Sequence, residues 1–365
     1  MSRLFLHGLQ AALFALGRRR PITGPTKLAW EVTEACNSRC LTCNRRETPA
    51  PGELTTEEGF RLIDDIAALG TMTLSFSGGE PLVRPDFPRL VSRAVERGLS
   101  TSVSTNGLLL KDRRLEELLD AGIHSIYISL DGATPETNDR LRGIPGSHGR
   151  VLQTAESIIA ERRGKRPRVY FNTTVSRANL SELPDIATLA NERGLDGLTV
   201  QPAQVFTEAR LAPNPELVLS SSDASSLKEA LDEIRCRYPG LIPLPGAYLD
   251  GMDDFLMDPH TMKRIPCIAG LLHGVIGSTG TVYPCPVEFA SMGSVKNESI
   301  AAVWSGEKAR TVRRRIATGD HPPCWFNCII PASLVLNDIF PFGWLRFLSS
   351  PASRHLFTRL QGSNR

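Results

Sequence analysis

Short apolar or β-branched runs alternate with helical patterns between about residues 27 and 201. The helical patterns carry apolar residues three or four positions apart, as Phe60, Ile63 and Ile66 do within residues 55–69. The strand candidates cover residues 28–33, 71–77, 100–104, 125–130, 169–175 and 198–201. The other helix candidates cover residues 85–97, 112–121, 151–162 and 179–193. Such alternation predicts a parallel sheet with helices on its outer side.

The alternating region is long enough for roughly six βα units of about 30 residues each. A closed eight-unit barrel usually needs about 250 residues. We therefore expect an α/β fold built as a partial (β/α)6 barrel of the TIM-like kind. A doubly wound sheet is the alternative, because periodicity alone does not set the strand order.

Beyond the barrel region the pattern changes twice. A loop rich in proline, serine and alanine covers 202–222, a helical pattern covers 226–237, and no regular period is visible from about residue 259. The sequence therefore predicts five parts. They are an amphipathic helical segment (1–26), a barrel core (27–222), a linking helix and loop (223–258), a small irregular domain (259–338) and an aromatic-rich tail (339–365).

Composition narrows the class of partner. The 365 residues are 41% hydrophobic and 22% charged, with a formal net charge of +3, which is typical of a soluble globular protein. The one marked basic run is Arg18, Arg19 and Arg20, and aromatic residues are not interleaved with basic ones as they are in proteins that stack bases. We therefore expect no nucleic-acid partner.

Both ends of the chain are apolar. A leucine stripe at helical spacing precedes the three arginines; its members are Leu6, Leu9, Leu13 and Leu16. The run is shorter than the roughly 20 residues of a membrane span, and a signal peptide carries its charge first, so we expect a cytoplasmic protein.

An aromatic cluster lies near the C-terminus, formed by Phe340, Phe342, Trp344 and Phe347. Together with an amphipathic helix that has basic residues beside it, this cluster suggests peripheral association with a membrane surface. Packing of both segments on the barrel or on each other is the alternative.

Eight cysteines are present, and three of them lie in one short loop directly after the first predicted strand. A chain of this length does not need disulfides for its core, and thiols as close as Cys36, Cys40 and Cys43 are typical metal ligands of a reducing compartment. Structural zinc usually takes four protein ligands, whereas a four-iron cube held by three thiolates leaves one iron open. We expect a [4Fe–4S] cluster, with zinc and disulfides as the alternatives.

The spacing Cx₃CxxC after the first strand resembles the radical S-adenosylmethionine (SAM) superfamily. Gly78, Gly79, Glu80 and Pro81 end the second predicted strand and resemble the GGEP motif of that family, which binds the amino group of SAM. The residue types suit this role, because glycines allow close backbone approach and a carboxylate pairs with an ammonium group. The residue before the third cysteine is often aromatic in the family, and here it is Thr42.

Two further motifs follow in the order that the family shows. Ser104, Thr105 and Asn106 end the third predicted strand, where the family contacts the ribose of SAM. Ser129 and Asp131 end the fourth, at another wall of the SAM pocket. Each motif alone is also a common turn, but all of them lie at strand ends in one order.

The resemblance implies an enzyme that reductively cleaves SAM to methionine and a 5′-deoxyadenosyl radical, which abstracts a hydrogen atom from its substrate. It also implies an electron donor such as a flavodoxin or ferredoxin.

A second set of cysteines supplies four thiolates, which is the number that a fully ligated [4Fe–4S] cluster needs. The set is Cys267, Cys285, Cys324 and Cys328. Residues 280–285 resemble the G-x₄-C hairpin of SPASM and twitch extensions, and four ligands imply one auxiliary cluster, closer to twitch. A Cys₄ zinc site is the alternative. Cys236 lies apart from both sets, and we expect it to be a buried apolar residue.

The resemblance leaves the substrate open. Many relatives with SPASM or twitch extensions mature ribosomal peptides, and others oxidise sugars, aminocyclitols or lipids. Peptide maturases often carry an additional recognition domain, and only 26 residues precede the first strand region here. We therefore expect a non-peptide small-molecule or lipid substrate, with a peptide maturase as the alternative. A non-catalytic iron–sulfur or zinc scaffold is the third hypothesis.

Overall fold

The computed structural model of the protein describes residues 3–15, 17–18, 20–43, 48–204 and 214–339. Its strands form one sheet in the order β6-β5-β4-β3-β2-β1-β7-β8-β9. They are β1 (Lys27–Thr33), β2 (Thr73–Gly78), β3 (Ser100–Thr105), β4 (Ser125–Ser129), β5 (Arg168–Val175), β6 (Gly197–Pro202), β7 (His273–Ile276), β8 (Thr281–Tyr283) and β9 (Gly293–Ser294).

The strand order confirms the partial barrel. From β1 to β6 each strand is parallel to its neighbour in sequence, whereas a doubly wound sheet reverses its order at a switch point. The sheet does not close, because β6 and β9 are its two edges. The doubly wound alternative is wrong.

The helices of the described residues connect these strands on the outer side or follow the barrel. They are α1 (Arg3–Ala15), α2 (Thr56–Ala68), α3 (Phe87–Glu96), α4 (Asp112–Asp120), α5 (Pro135–Arg142), α6 (Ser147–Glu161), α7 (Leu183–Glu192), α8 (Ala224–Arg237), α9 (Gly246–Met257), α10 (Ile300–Ser305), α11 (Glu307–Ala317) and α12 (Ile330–Ile339).

Alternation along the strands separates two faces of the sheet. Leu28, Trp30 and Val32 of β1 are fully buried against the helices, so the positions between them face the inside of the barrel. On β2 and β3 all six inward positions are small hydroxyl residues: Thr73, Ser75, Ser77, Ser100, Ser102 and Ser104. The barrel therefore has an apolar outer layer and a polar lumen.

The C-terminal region continues the barrel sheet. Strand β7 runs parallel to β1, with Lys27 in register with His273, and β8 and β9 add a short antiparallel extension. These last two strands have three and two residues, which is too short to show the alternation that predicts a strand. The expectation of a small irregular domain is confirmed.

Helix α1 forms where the N-terminal helical segment was predicted, but it packs through its polar side. His7 Nε2 donates to the Gly70 carbonyl at 2.8 Å, and Gln10 and Phe14 are 2% and 1% exposed. Leu9 of the predicted stripe is 40% exposed instead. The loop after α2 and the start of β1 are at the amino ends of the strands, so α1 covers the base of the barrel.

Two sequence predictions about the chain ends lie partly or wholly outside the described residues. These are Leu16 of the leucine stripe and the aromatic cluster that begins at Phe340. Within the described ranges, no helix combines the length and apolar character that crossing a membrane requires.

Candidate active site

The three-cysteine loop leaves the carboxyl end of β1, the end at which βα barrels bind their ligands. Cys36, Cys40 and Cys43 are half-buried free thiols. The backbone N–H of Ser38 donates to Cys36 Sγ at 3.4 Å, which favours the thiolate form. Three soft sulfur donors without a disulfide fit an iron–sulfur cluster, and by donor type alone they also fit zinc.

Gly78 and Gly79 fix the end of β2 against the start of this loop. The Gly79 N–H donates to the Thr33 carbonyl at 2.7 Å, and the Glu80 N–H donates to the Ala35 carbonyl at 2.8 Å. A Cβ on Gly78 would lie 2.3 Å from Thr33 O, and one on Gly79 would lie 2.1 Å from Ala35 O. The close backbone approach expected at these glycines is therefore made to the end of β1 and the loop that follows it. Gly78 also has a positive φ of 125°.

Glu80 is a buried carboxyl group, 1% exposed. Its Oε1 accepts from the Leu82 N–H at 3.1 Å and from Thr105 Oγ1 at 2.8 Å, and its Oε2 accepts from the Asn106 N–H at 2.7 Å. Pro81 opens the 3₁₀ turn that carries the Leu82 donor. Burial raises the pKa of Glu80 in spite of these bonds, so a cation beside it would stabilise the charged form.

The hydrogen bonds of Asn106 connect the third motif to the cysteine loop. Its Nδ2 donates to Asn37 Oδ1 at 2.7 Å and to Ser38 Oγ at 3.0 Å, between the first two cysteines. Thr105 and Asn106 thus hold Glu80 and the loop together, while Ser104 is exposed to the lumen. Their predicted contact with a ribose stays a prediction.

Arg142 brings a half-buried positive charge to the same place. Its Nη1 lies 3.0 Å from Asp131 Oδ2, and the other Asp131 oxygen accepts from the Thr174 N–H at 2.9 Å. Burial disfavours the charge, but the neighbouring Cys40 and Asp131 outweigh it and raise the pKa of Arg142. Asp131 therefore orients this guanidinium, while Ser129 at the end of β4 is half-buried beside the lumen.

The carboxyl end of α5 packs directly on the cysteine loop. The Leu41 N–H donates to the Leu141 carbonyl at 2.9 Å. Gly143 follows the helix with φ of 68°, and a Cβ there would lie 2.3 Å from the Arg39 carbonyl oxygen. Helix α5 thus positions both Arg142 and the loop that contains the thiols.

Burial favours the protonated form of two thiols of this loop, Cys36 and Cys40. Burial raises the pKa of Cys40 to about 11, with Arg142 opposing it, and burial also raises the pKa of Cys36. Iron binds thiolates, so cluster loading must release these protons. Arg142 reduces the cost of that charge.

The four C-terminal cysteines form a second buried group. Cys285 and Cys324 are 5% and 4% exposed, and Cys267 and Cys328 are half-buried. Burial raises the pKa of all four thiols, that of Cys267 to about 11. The charges of the other cysteines contribute further to the raised pKa values of Cys285 and Cys324, which requires the thiols to be close together.

Two buried aromatic residues between Cys324 and Cys328 shield this second group. Trp325 and Phe326 are 3% and 7% exposed. The Trp325 indole donates to the Tyr248 carbonyl at 3.1 Å, and its ring stacks on that of Tyr248 at 5.7 Å. Among the described residues, no three His, Cys, Asp or Glu side chains are arranged to hold a single metal ion.

Cys236 is the one cysteine whose environment was predicted wrongly. It lies on α8 and is exposed. The buried face of that helix is formed by Leu227, Leu231 and Ile234, and a residue two positions after Ile234 points to the opposite side.

Arg142 is the candidate site residue that sequence reasoning missed. Helix α5 buries only Asn138 and Leu141, so it has too little apolar periodicity to be recognised. The sequence signals that could have predicted this helix are at its ends, because Thr134 is its N-cap and Gly143 its C-cap.

Family comparisons cover both cysteine sets. Residues 30–190 match the radical SAM superfamily, and residues 267–329 match SPASM, an iron–sulfur cluster-binding domain. The first match contains the three-cysteine loop and the motifs after it, and the second contains all four C-terminal cysteines.

Curated relatives show the same resemblance. An AdoMet-dependent heme synthase of Methanosarcina barkeri is 40% identical over 172 residues, covering 47% of this chain and 48% of the relative. A PqqA peptide cyclase of Granulibacter bethesdensis is 30% identical over 298 residues, covering 79% and 76%. The mycofactocin maturase MftC of Mycobacterium tuberculosis is 34% identical over 276 residues, covering 73% and 66%.

Solved structures share the fold. Streptococcus suis SuiB superposes with a TM-score of 0.65 at 17% identity, covering 84% of this chain and 72% of that one. The enzyme anSMEcpe with bound AdoMet gives a TM-score of 0.60 at 14% identity, covering 90% and 99%. The chain therefore belongs to the radical SAM superfamily, as an enzyme that uses SAM and [4Fe–4S] clusters and carries a C-terminal SPASM domain.

Proposed function

We propose that the protein modifies a peptide substrate, with Cys36, Cys40 and Cys43 as the ligands of the cluster that binds SAM. The observation that carries the proposal is the convergence of three free thiols, the Glu80 carboxyl and the Arg142 guanidinium at one end of the sheet. When bound there, cluster and SAM supply an electron for C–S cleavage and a carbon radical that abstracts hydrogen.

The side chains around the thiols suit the amino-acid part of SAM. Glu80 would accept the ammonium group, which compensates its buried charge, and Arg142, held by Asp131, would bind the carboxylate in the paired geometry that guanidinium favours. The backbone of Gly78 to Pro81 would fix Glu80. We place the ribose beside Ser104, Thr105 and Asn106, and the remaining pocket wall at Ser129.

The relatives that match across both domains support a peptide substrate. A PqqA peptide cyclase and the maturase MftC each match more than two thirds of this chain at 30% identity or above. The lumen agrees with this class, because Ser75 and Ser102, whose hydroxyls are 2.8 Å apart, leave room and hydrogen-bonding groups for a polar chain. The earlier preference for a sugar, aminocyclitol or lipid has less support than its peptide alternative.

A tetrapyrrole is the second candidate substrate. Two AdoMet-dependent heme synthases are 40% identical over 172 residues and 30% identical over 301 residues. The two substrate classes predict different products, so one experiment separates them.

The test uses the anaerobically reconstituted enzyme with SAM and dithionite. We expect a small precursor peptide encoded beside this chain to lose hydrogen mass or gain a cross-link, with 5′-deoxyadenosine formed in proportion. Fe-coproporphyrin III serves as the parallel porphyrin probe. Conversion of the porphyrin and not of the peptide would overturn the peptide assignment, and Cys40→Ala is the inactive control for both arms.

For the second cysteine set we propose one auxiliary [4Fe–4S] cluster on Cys267, Cys285, Cys324 and Cys328. Its place in the interior beside Tyr248 and Lys27 suits electron transfer to or from the substrate. We also propose the part boundaries near residues 26, 222, 258 and 338, and a flavodoxin or ferredoxin as the electron donor.

We further propose that the protein works at a membrane surface. Helix α1 buries His7 and Gln10, and its exposed residues include the apolar Leu4, Gly8 and Leu9. Leu4 is 70% exposed. A helix with its polar side inward and its apolar side outward suits burial in a lipid interface.

A further inference from the structure

A cavity rich in arginine opens at the base of the protein, beside the end of α1. It measures about 530 Å³, and none of the cysteines of either set lines it. It is lined by Gly17, Arg20, Glu307, Arg310, Arg313 and Arg314. Four guanidinium groups face one carboxylate there, so the cavity carries a clear excess of positive charge.

The single carboxylate does not neutralise this cavity. Glu307 pairs with Arg310 at 2.8 Å and with Arg314 at 2.8 Å, and it is thus shared between two cations. Neither pair involves Arg20 or Arg313. An anion entering the cavity would therefore meet more positive than negative charge at short range.

Arg313 gives the cavity a fixed wall. It is 3% exposed, and its Nε and Nη2 donate to the Gly270 and Trp304 carbonyls at 2.5 and 2.6 Å. Its Nη1 has no hydrogen-bond partner among the described residues. A buried guanidinium with an unused donor is costly unless a ligand or water completes it.

Helix α1, which carries exposed leucines, ends beside this cavity. The helix runs from Arg3 to Ala15, and Gly17 and Arg20 follow as lining residues. Leu4 and Leu9 are 70% and 40% exposed on the preceding turns. Exposed apolar side chains next to concentrated arginines are the combination that binds an anionic lipid surface.

We propose that this cavity binds the phosphate group of an anionic phospholipid while Leu4 and Leu9 enter the acyl region. The inference rests on the proposed membrane association and names its binding site. The base of the barrel then faces the membrane, and the carboxyl ends of the strands, with the thiols and Glu80, stay accessible from the other side.

The test is flotation of the reconstituted full chain with two kinds of vesicle. We expect binding to phosphatidylcholine vesicles that contain phosphatidylglycerol, and little binding to phosphatidylcholine alone. Each arginine near an anionic surface contributes about a fivefold gain in affinity. Arg20→Gln combined with Arg314→Gln should therefore weaken binding by roughly 25-fold, and Leu4→Ser with Leu9→Ser should abolish it.

Matched controls separate the site from general charge and hydrophobicity. Arg113→Gln removes an arginine that is 87% exposed on α4, at the other end of the barrel, and Met257→Ser removes an apolar side chain that is 63% exposed on α9. Both should bind vesicles like the unmodified chain. All variants should form 5′-deoxyadenosine normally, because none lies near the thiols.

Four results would overturn the proposal, and they are distinguishable. No binding of the unmodified chain to either vesicle would remove the membrane association itself. Normal binding by the double arginine variant would remove only the cavity. Tight binding of inorganic phosphate in a titration, without vesicle binding, would assign the cavity to a soluble ion. A dimer that is lost in the leucine variant would assign the exposed leucines to contact with a second copy of the chain.

Discussion

At the scale of single residues, the proposed SAM site depends on the charges of Glu80 and Arg142. Glu80 accepts hydrogen bonds in a network that joins β2, β3 and the cysteine loop. Arg142 lies between Asp131 and Cys40. Opposite charges held at fixed positions suit a zwitterion. The amino-acid part of SAM is such a group.

Glu80→Gln tests the ammonium contact. The amide keeps the shape and one acceptor oxygen, but its NH₂ group opposes a donor that the second carboxylate oxygen satisfies. It also loses the charge, and a charged hydrogen bond contributes about 1.5–3 kcal/mol. We expect SAM to bind roughly 10- to 100-fold more weakly, with iron content unchanged. Equilibrium dialysis measures this, Glu96→Gln on the outer face of α3 is the control, and equal SAM affinity would contradict the assignment.

The pH dependence of stability tests the burial of His273 in the interior. This histidine is 1% exposed, and burial, with the Lys27 charge adding to it, lowers its pKa to about 3. The imidazole takes up a proton near pH 6.5 in the unfolded chain but only near pH 3 in the folded chain. The contribution of His273 to the free energy of unfolding is therefore complete above pH 6.5 and is lost as the pH falls toward 3.

Between pH 7 and pH 5 this histidine should cost about 2 kcal/mol of unfolding free energy. Anaerobic urea unfolding at both pH values gives the difference. His273→Leu should remove that part of the pH dependence, because leucine does not titrate. An equal loss in the variant would mean that other groups are responsible.

At the scale of elements, the junction between α5 and the cysteine loop decides whether the first cluster can form. Gly143→Ala places a Cβ 2.3 Å from the Arg39 carbonyl, and the loop must move. Gly146→Ala is a matched control, because its φ of 72° resembles the 68° of Gly143 but no atom lies within 4 Å of the added Cβ.

We expect the chain with Gly143→Ala to lose the first cluster and keep the second, so its iron content falls by about half. The Gly146→Ala chain should only lose about 1 kcal/mol of stability from left-handed strain. Iron analysis and thermal unfolding give both values. Full iron content in the Gly143 variant would show that the contact does not matter.

The elements also show how far sequence reasoning reaches. The six parallel strands have clear β-branched or apolar runs, and their predicted bounds agree with the structure within two residues. Helix α9 was missed because Gly246 and Gly251 weaken its propensity. Motif spacing identified Cys36, Cys40, Cys43 and Glu80 as candidate site residues. Arg142 lies close to them only in the folded chain, and no local sequence pattern predicts that contact.

At the scale of the whole molecule, one sheet connects the two cysteine sets. β1 carries the first set at its carboxyl end and pairs with β7, near the second set, at its other side. The polar lumen lies between them, and α1 covers the base. We propose that the substrate enters the lumen beside this sheet, at the end opposite to α1.

Independence of the two centres follows from this separation. Cys324→Ala removes one ligand from the second set without touching the first, so we expect about half the iron and continued 5′-deoxyadenosine formation. Substrate conversion should fall if the second centre passes electrons. Loss of both iron and deoxyadenosine would show instead that the second set supports the fold of the barrel.

The central claim is that the Cys36, Cys40 and Cys43 loop leaves one iron without a protein ligand, where SAM binds. Electron–nuclear double resonance of the reduced Cys324→Ala enzyme, with SAM carrying ¹⁵N in its amino group, tests it most directly. We predict a ¹⁵N coupling at the remaining cluster that disappears in Cys40→Ala. A spectrum unchanged by labelled SAM, or a site that holds zinc, would contradict the account.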